Sequence, residues 1–182
     1  MVPVEALFGY VLLLVGFVFF GNGLTLLGKT GAKEIGVLNL AVAVLISIAA
    51  WKLHTLGLTA GAALISAFAL VYFMVAAIFC LGYDAKGLGW YCLFGTVVFL
   101  WYAYHFYSLG VAVPAIAGVK WFGIFCAAWA LLLLLAFFTL ALGKALGTAV
   151  AYLFIIEAFL TLLIPGMLLL TEKWNPLGGV PG

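Results

Sequence analysis

Charge is scarce in this chain of 182 residues. Only 7% of the residues are Asp, Glu, Lys or Arg, and all seven basic residues are lysines. The net charge of +2 is spread over short polar segments, so no basic patch could follow a nucleic acid or cover an anionic membrane surface. We therefore expect no nucleic-acid partner.

The residues that usually carry catalysis or bind metals are also few. His54 and His105 lie far apart and no acidic cluster accompanies them, so no common metal-ligand spacing is present. Cys80, Cys92 and Cys126 lie in apolar segments without a CxxC pair, which is typical of packing. The chain has no nucleophile-elbow, zincin or phosphate-loop motif. These absences argue against an enzyme, a bound metal and a cofactor.

Apolar residues, in contrast, make up 69% of the chain, more than the core of a soluble protein could hide. A membrane-spanning helix needs about 20 mainly apolar residues. Six runs qualify: 7–27, 35–51, 58–81, 88–108, 121–142 and 149–171. The short breaks between them could not hold a soluble domain. We therefore predict one all-α integral membrane domain over 1–182, a six-transmembrane-helix bundle with both termini on the same side and lipid around it.

Lysine distribution gives a weak sign for the orientation in the membrane. Cytoplasmic loops carry an excess of lysine. The first, third and fifth breaks hold Lys29, Lys33, Lys86 and Lys144, and the opposite side holds Lys52, Lys120 and Lys173. Four lysines against three predict cytoplasmic odd breaks and both termini outside. Glu5 stands where a signal peptide would be basic, so the first run should remain as a helix.

Glu157 is the most informative side chain, because it lies near the middle of the sixth apolar run. A carboxylate at that depth raises the free energy of inserting the helix into the membrane by about 2.5–3.5 kcal/mol. Such a group usually marks a solute or ion path. Thr161 follows one turn later and Pro165 one turn after that. The alternative is structural: a protonated carboxyl bonded to Asn22 or to the Thr161 carbonyl, to which Pro165 cannot donate.

Asn22 lies on one face of the first helix, and a similar face occurs on the fifth. The two faces consist of Leu12, Val15, Phe19 and Asn22, and of Phe122, Cys126, Trp129 and Leu133. One interpretation is ordinary helix packing. The other is a narrow slot for a small, flat, neutral polar molecule, since a hydrated ion would need several charged or carbonyl ligands. Trp129 could then hold a planar amide against its ring and donate its indole N–H to a carbonyl.

Four parts of the chain form a recognisable pattern: Leu13–Gly23, Trp90–Phe94, Ala128–Ala130, and Ile155–Glu157 followed by Leu162–Pro165. In these segments the sequence resembles the UreI/AmiS family of small bacterial urea and short-chain amide channels. The resemblance implies a six-helix bundle in the bacterial cytoplasmic (inner) membrane, a pore through each protomer, and six protomers in a ring, a homohexamer. It also implies passive passage of solute, with Glu157 and Trp129 in the pore.

Two departures from this family pattern bear on gating and substrate. Acid-gated members carry a long His-containing outward loop, whereas here that link is 52–57 with only His54. Gated members also place aromatic residues at positions aligned with Val75, Cys126 and Leu133. We therefore predict a channel without acid gating that prefers acetamide-like amides, with urea as a further candidate.

Three alternatives stay open: an ungated urea channel that supplies a urease, a proton-coupled carrier that uses Glu157, and a helix bundle without a pore. A faint pattern shared by 69–76 and 151–158 is compatible with a 3+3 repeat. The predicted pore residues are Leu12, Val15, Phe19, Asn22, Val71, Val75, Phe122, Cys126, Trp129, Leu133, Glu157 and Thr161.

Overall fold

The chain folds into six long helical segments in a computed structural model that describes residues 4–113 and 118–174. The first five are α1 (Val4–Leu26), α2 (Ala32–Thr55), α3 (Thr59–Leu81), α4 (Lys86–Ala112) and α5 (Val119–Leu140). The sixth span consists of α6 (Gly147–Glu157), a π-helical turn (Ala158–Leu163) and α7 (Ile164–Leu170). Each segment is long and apolar enough to cross a bilayer. The predicted all-α, six-span membrane architecture is thus confirmed.

Helices α2, α4 and α5 take in charged residues that the predicted apolar runs leave out. The second predicted helix covers 35–51, but α2 includes Lys33, Glu34, Lys52 and His54. Charged side chains at a helix end can reach the water layer, so they do not stop the helix. The turn comes instead at Gly57, where φ is +81°. Of the predicted domain, residues 1–3, 114–117 and 175–182 lie outside the described residues.

Packing divides the bundle into two hairpins and a central pair. Helices α2 and α3 form one tight hairpin, α4 and α5 form the other, and α1 packs along the sixth span. Glycine lets α4 and α5 approach closely at Gly123. A Cβ at this position would lie only 2.6 Å from the Tyr107 backbone nitrogen, so a larger residue would not fit. Such backbone contact is how helices associate in lipid, where hydrophobicity gives little drive. The 3+3 repeat stays a prediction.

The π-helical turn interrupts the sixth span directly after Glu157. Pro165 has no N–H to donate to the carbonyl four residues earlier. At this point the Ile164 N–H donates to the Phe159 carbonyl, five residues back. Single π-helical turns within α-helices occur frequently at functional sites. The irregular turn and the buried carboxyl therefore lie at the same depth, near the middle of the span.

Candidate functional site

A cavity of about 120 Å³ lies between α1, α3, α4, α5 and α6. It extends toward the ends of α1 and α5 and the start of α4, where Leu26, Leu140 and Ala85 contribute to its wall. About 10–15 Å³ of such space is enough for one water molecule. The cavity can therefore hold a small solute of several heavy atoms.

An aromatic cluster lines this cavity near the middle of the bundle and consists of Phe19, Phe68, Phe99 and Trp129. The Phe68 ring lies edge-on to Phe99 at 4.8 Å and to Trp129 at 5.1 Å. Phe19 reaches Phe68 at 6.4 Å from the other side. Edge-to-face contacts of this kind hold rings in defined positions. These four rings therefore form a well-packed part of the cavity wall.

Half of the twelve predicted pore residues line the cavity: Phe19, Asn22, Val71, Val75, Trp129 and Leu133. The other six do not contribute to its wall: Leu12, Val15, Phe122, Cys126, Glu157 and Thr161. Phe122, for example, packs beyond the aromatic cluster, with ring centroids 6.1 Å from Phe8 and 6.0 Å from Trp174. Helical spacing places residues on one face but does not say whether that face meets a helix or a cavity. A pore role for these six residues stays a prediction.

Asn22 is paired with Asn39, and not with Glu157 as one interpretation of the sequence had it. The Asn39 Nδ2 donates to Asn22 Oδ1 at 2.8 Å and to the Ile35 carbonyl at 2.8 Å. The Asn22 Nδ2 lies 3.4 Å from Asn39 Oδ1. Both asparagines are buried. Asn39 is not among the predicted residues, although its place in the second apolar run, just across a short break from Asn22, could have indicated it.

The Glu157 carboxyl is buried without a hydrogen bond. The side chain is 3% exposed, and neither carboxyl oxygen has a partner within the described ranges. The two partners predicted for a structural role, Asn22 and the Thr161 carbonyl, are therefore wrong. Instead, Thr161 Oγ1 donates to the Glu157 backbone carbonyl at 2.8 Å. Buried polar groups are normally hydrogen-bonded, so an orphaned carboxyl calls for an explanation such as a water or a ligand.

Tyr72 is a second buried group of this kind and the sequence did not single it out. Its hydroxyl has no hydrogen-bond partner in the described part of the chain. The Tyr72 side chain lines the cavity. Nothing in a single sequence separates this tyrosine from the other seven.

Trp129 offers its ring to the cavity but not its N–H. The indole Nε1 donates to Thr161 Oγ1 at 2.9 Å, and both side chains are buried. The expectation that this N–H is free for a solute carbonyl is wrong, because the Thr161 hydroxyl already accepts it. The same hydroxyl donates onward to the Glu157 carbonyl. Trp129, Thr161 and Glu157 thus form one connected unit at the edge of the cavity.

Comparison with known proteins places this arrangement in a family. The sequence pattern of AmiS/UreI family transporters matches residues 7–173, nearly the whole chain. The chain belongs to the AmiS/UreI transporter family. The family consists of transporters, so the expectation that this protein is not an enzyme is confirmed.

Two curated relatives support this AmiS/UreI membership. The chain is 32% identical over 174 residues to a Mycolicibacterium smegmatis protein named as an amidate substrates transporter. That alignment covers 92% of this chain and 78% of the relative. It is also 32% identical over 170 residues to the transporter protein AmiS2 of Rhodococcus erythropolis, covering 90% and 79% of the two chains.

Solved structures agree with the fold of this AmiS/UreI member. The crystal structure of the Helicobacter pylori urea channel superimposes with a TM-score of 0.80 at 29% identity. The cryo-EM structure of that channel in a closed state gives a TM-score of 0.73. Each comparison covers 92% of this chain and 99% of the urea channel. The bundle is therefore the fold of a membrane channel.

Proposed function

We propose that this AmiS/UreI family member is a passive channel for small neutral amides, with acetamide-like solutes preferred over urea. The observation that carries the proposal is the cavity between the helices, whose wall is apolar and has no charged side chain among the described residues. An ion would have to shed water there without ligands to replace it. A small neutral molecule does not meet that obstacle.

The preference for amides over urea rests on the cavity wall and on the relatives. Val75 and Leu133 line the cavity, and the family resemblance implies aromatic residues at these positions in acid-gated members. Aliphatic side chains leave room for the methyl group of acetamide. One relative is named for amidate substrates, and the solved structures are of a urea channel. An ungated urea channel is the alternative.

The proposal includes a ring of six protomers in the bacterial cytoplasmic membrane, each with its own pore and with both termini outside. Family likeness supports the ring. Composition alone does not demand it, since apolar surface can face lipid without penalty. The cavity, the Asn22 side chain and the buried Glu157 carboxyl all lie within one protomer. This favours a pore inside each protomer over a shared central pore.

Flux into proteoliposomes tests the proposed function. Swelling rates should rise linearly with acetamide concentration. At the same concentration, urea should give a lower rate than acetamide, and bulkier amides such as isobutyramide a lower rate still. Protein-free liposomes of the same lipid give the background for each solute. Acetamide flux no higher than this background would refute the channel. Accumulation driven by a pH gradient would favour the proton-coupled carrier that uses Glu157.

Flux should change by less than about twofold between pH 5 and pH 7.5. Histidine is the only side chain whose ordinary pKa falls in this window. His54 is exposed at the end of α2, where its Nδ1 lies 3.3 Å from the Thr59 hydroxyl, and His105 stacks on Trp101 at 5.2 Å. Neither lines the cavity. The measurement is acetamide swelling at matched internal and external pH. A severalfold rise on acidification that His54→Ala removes would overturn the absence of acid gating.

A further inference from the structure

The cavity between the helices exposes only apolar surface among the described residues, although some of its lining side chains are polar. Those side chains use their polar atoms elsewhere. Asn22 Oδ1 accepts from Asn39 Nδ2 at 2.8 Å, and the Trp129 N–H is also engaged. Thr139 Oγ1 donates to the Leu135 carbonyl of its own helix at 2.8 Å. A molecule inside the cavity therefore meets apolar surface and no hydrogen-bond partner within the described ranges.

Water is not favoured in such a space. A buried water usually makes about three hydrogen bonds, and an apolar cavity of about 150 Å³ that was engineered into another protein stays dry and binds benzene or xenon. The cavity here has a similar size, about 120 Å³. Its wall likewise consists of aliphatic side chains and rings, among them Val71, Val75, Leu133 and Phe68. The cavity can therefore take up a small apolar molecule in place of water.

The rings in the wall favour an aromatic occupant. Phe68, Phe99 and Trp129 contact one another edge to face, with centroids 4.8, 5.1 and 6.3 Å apart. Aromatic rings in this arrangement stabilise one another beyond the apolar area that they bury, so a benzene-sized ring can join the cluster. Leu26, at the end of α1, both lines the cavity and is exposed, which gives such a molecule a place to enter.

We propose that this cavity is a binding site for small aromatic hydrocarbons of benzene size, and that a bound molecule blocks the passage of amide. The block rests on the proposed amide channel, whereas the binding does not. An amide finds no partner in the cavity for its carbonyl and amino groups, so it is not retained. A benzene-sized molecule gives up no hydrogen bonds on entry and gains apolar contacts with the wall, so it stays.

Nuclear magnetic resonance of ¹³C-methyl-labelled protein in lipid nanodiscs tests the binding. Benzene also dissolves in lipid, so methyl groups in the cavity have to be compared with lipid-facing ones. The methyl shifts of Val71 and Val75, which line the cavity, should saturate as benzene is added. Those of Val97, which is 64% exposed on α4, should change only in proportion to the benzene dissolved. The same response in both sets would overturn the binding site.

A pair of matched variants locates the benzene. Val75→Phe places a ring in the cavity and should abolish the saturating shift of the Val71 methyl groups. Val97→Phe adds the same ring on the lipid side and should leave that shift unchanged. Leu133→Phe is the second filling variant if Val75→Phe does not assemble, since Leu133 also lines the cavity. A saturating shift that persists in a folded filling variant would place the benzene elsewhere and overturn the proposal.

Acetamide flux into proteoliposomes tests the block. At about ten times its dissociation constant, benzene should lower the flux about tenfold, because only about one protomer in eleven is then empty. Protein-free liposomes with the same benzene give the background, and Val97→Phe should be blocked as the wild type is. Saturating methyl shifts without any loss of flux would overturn the block. If the wild type conducts no acetamide but its methyl shifts saturate, the proposed function fails and the binding site stands.

Discussion

Glu157→Ala should lower acetamide flux by about tenfold or more at equal amounts of protein, with insertion into the membrane unchanged. The buried carboxyl has no hydrogen-bond partner in the described structure. We propose that the helices open enough during passage for a solute amino group to donate to this carboxyl, and the loss of a hydrogen bond in a desolvated site costs about 1–3 kcal/mol. Proteoliposome swelling measures the flux.

Glu157→Gln should retain more flux than the alanine variant, because it preserves the shape and one oxygen acceptor. Insertion should survive in both, since a carboxyl at mid-membrane is itself costly by about 2.5–3.5 kcal/mol. Glu34→Ala is the matched control, because Glu34 is exposed at the start of α2 and lines no part of the cavity. Full flux in Glu157→Ala would exclude a role for Glu157 in permeation.

Gly123→Val should prevent a stable fold. A Cβ at this position would lie 2.6 Å from the Tyr107 backbone nitrogen and 2.7 Å from the Ala103 carbonyl oxygen. Backbone atoms cannot swing away as a flexible side chain can, so α4 and α5 would have to separate. Overpacking of this kind costs about 1–3 kcal/mol or more. The readout is the fraction of detergent-extracted protein that stays monodisperse during heating.

Gly87→Val provides the matched control for this packing effect. Gly87 lies in the first turn of α4, and a Cβ there meets nothing within 4 Å. Both substitutions put the same β-branched residue into a helix, so they share the loss of helix propensity. A similar melting temperature for the two variants would show that the α4–α5 contact at Gly123 is not tight.

Much of the fold could be predicted from the sequence because a lipid bilayer restricts the secondary structure that a spanning segment can adopt. Within a bilayer every backbone N–H and C=O has to be satisfied inside its own segment, so each long apolar run becomes a helix. Glu157 could be singled out for a related reason, since a carboxyl is rare and expensive at that depth. The helix ends were less predictable, because residues such as Lys33 and His54 extend α2 into the water layer.

The partners of the site side chains were decided only by the tertiary structure. A side chain turns by about 100° with each residue along a helix, so small rotations select which neighbour it meets. In a soluble protein the polar face of a helix indicates which side points outward. Here the lipid-facing and core-facing sides are both apolar, so the sequence does not indicate the rotation of the helix. Hence the sequence determined six spans and a buried carboxyl, whereas the Asn22–Asn39 pair, the engaged Trp129 N–H and the place of Tyr72 follow from how the helices pack.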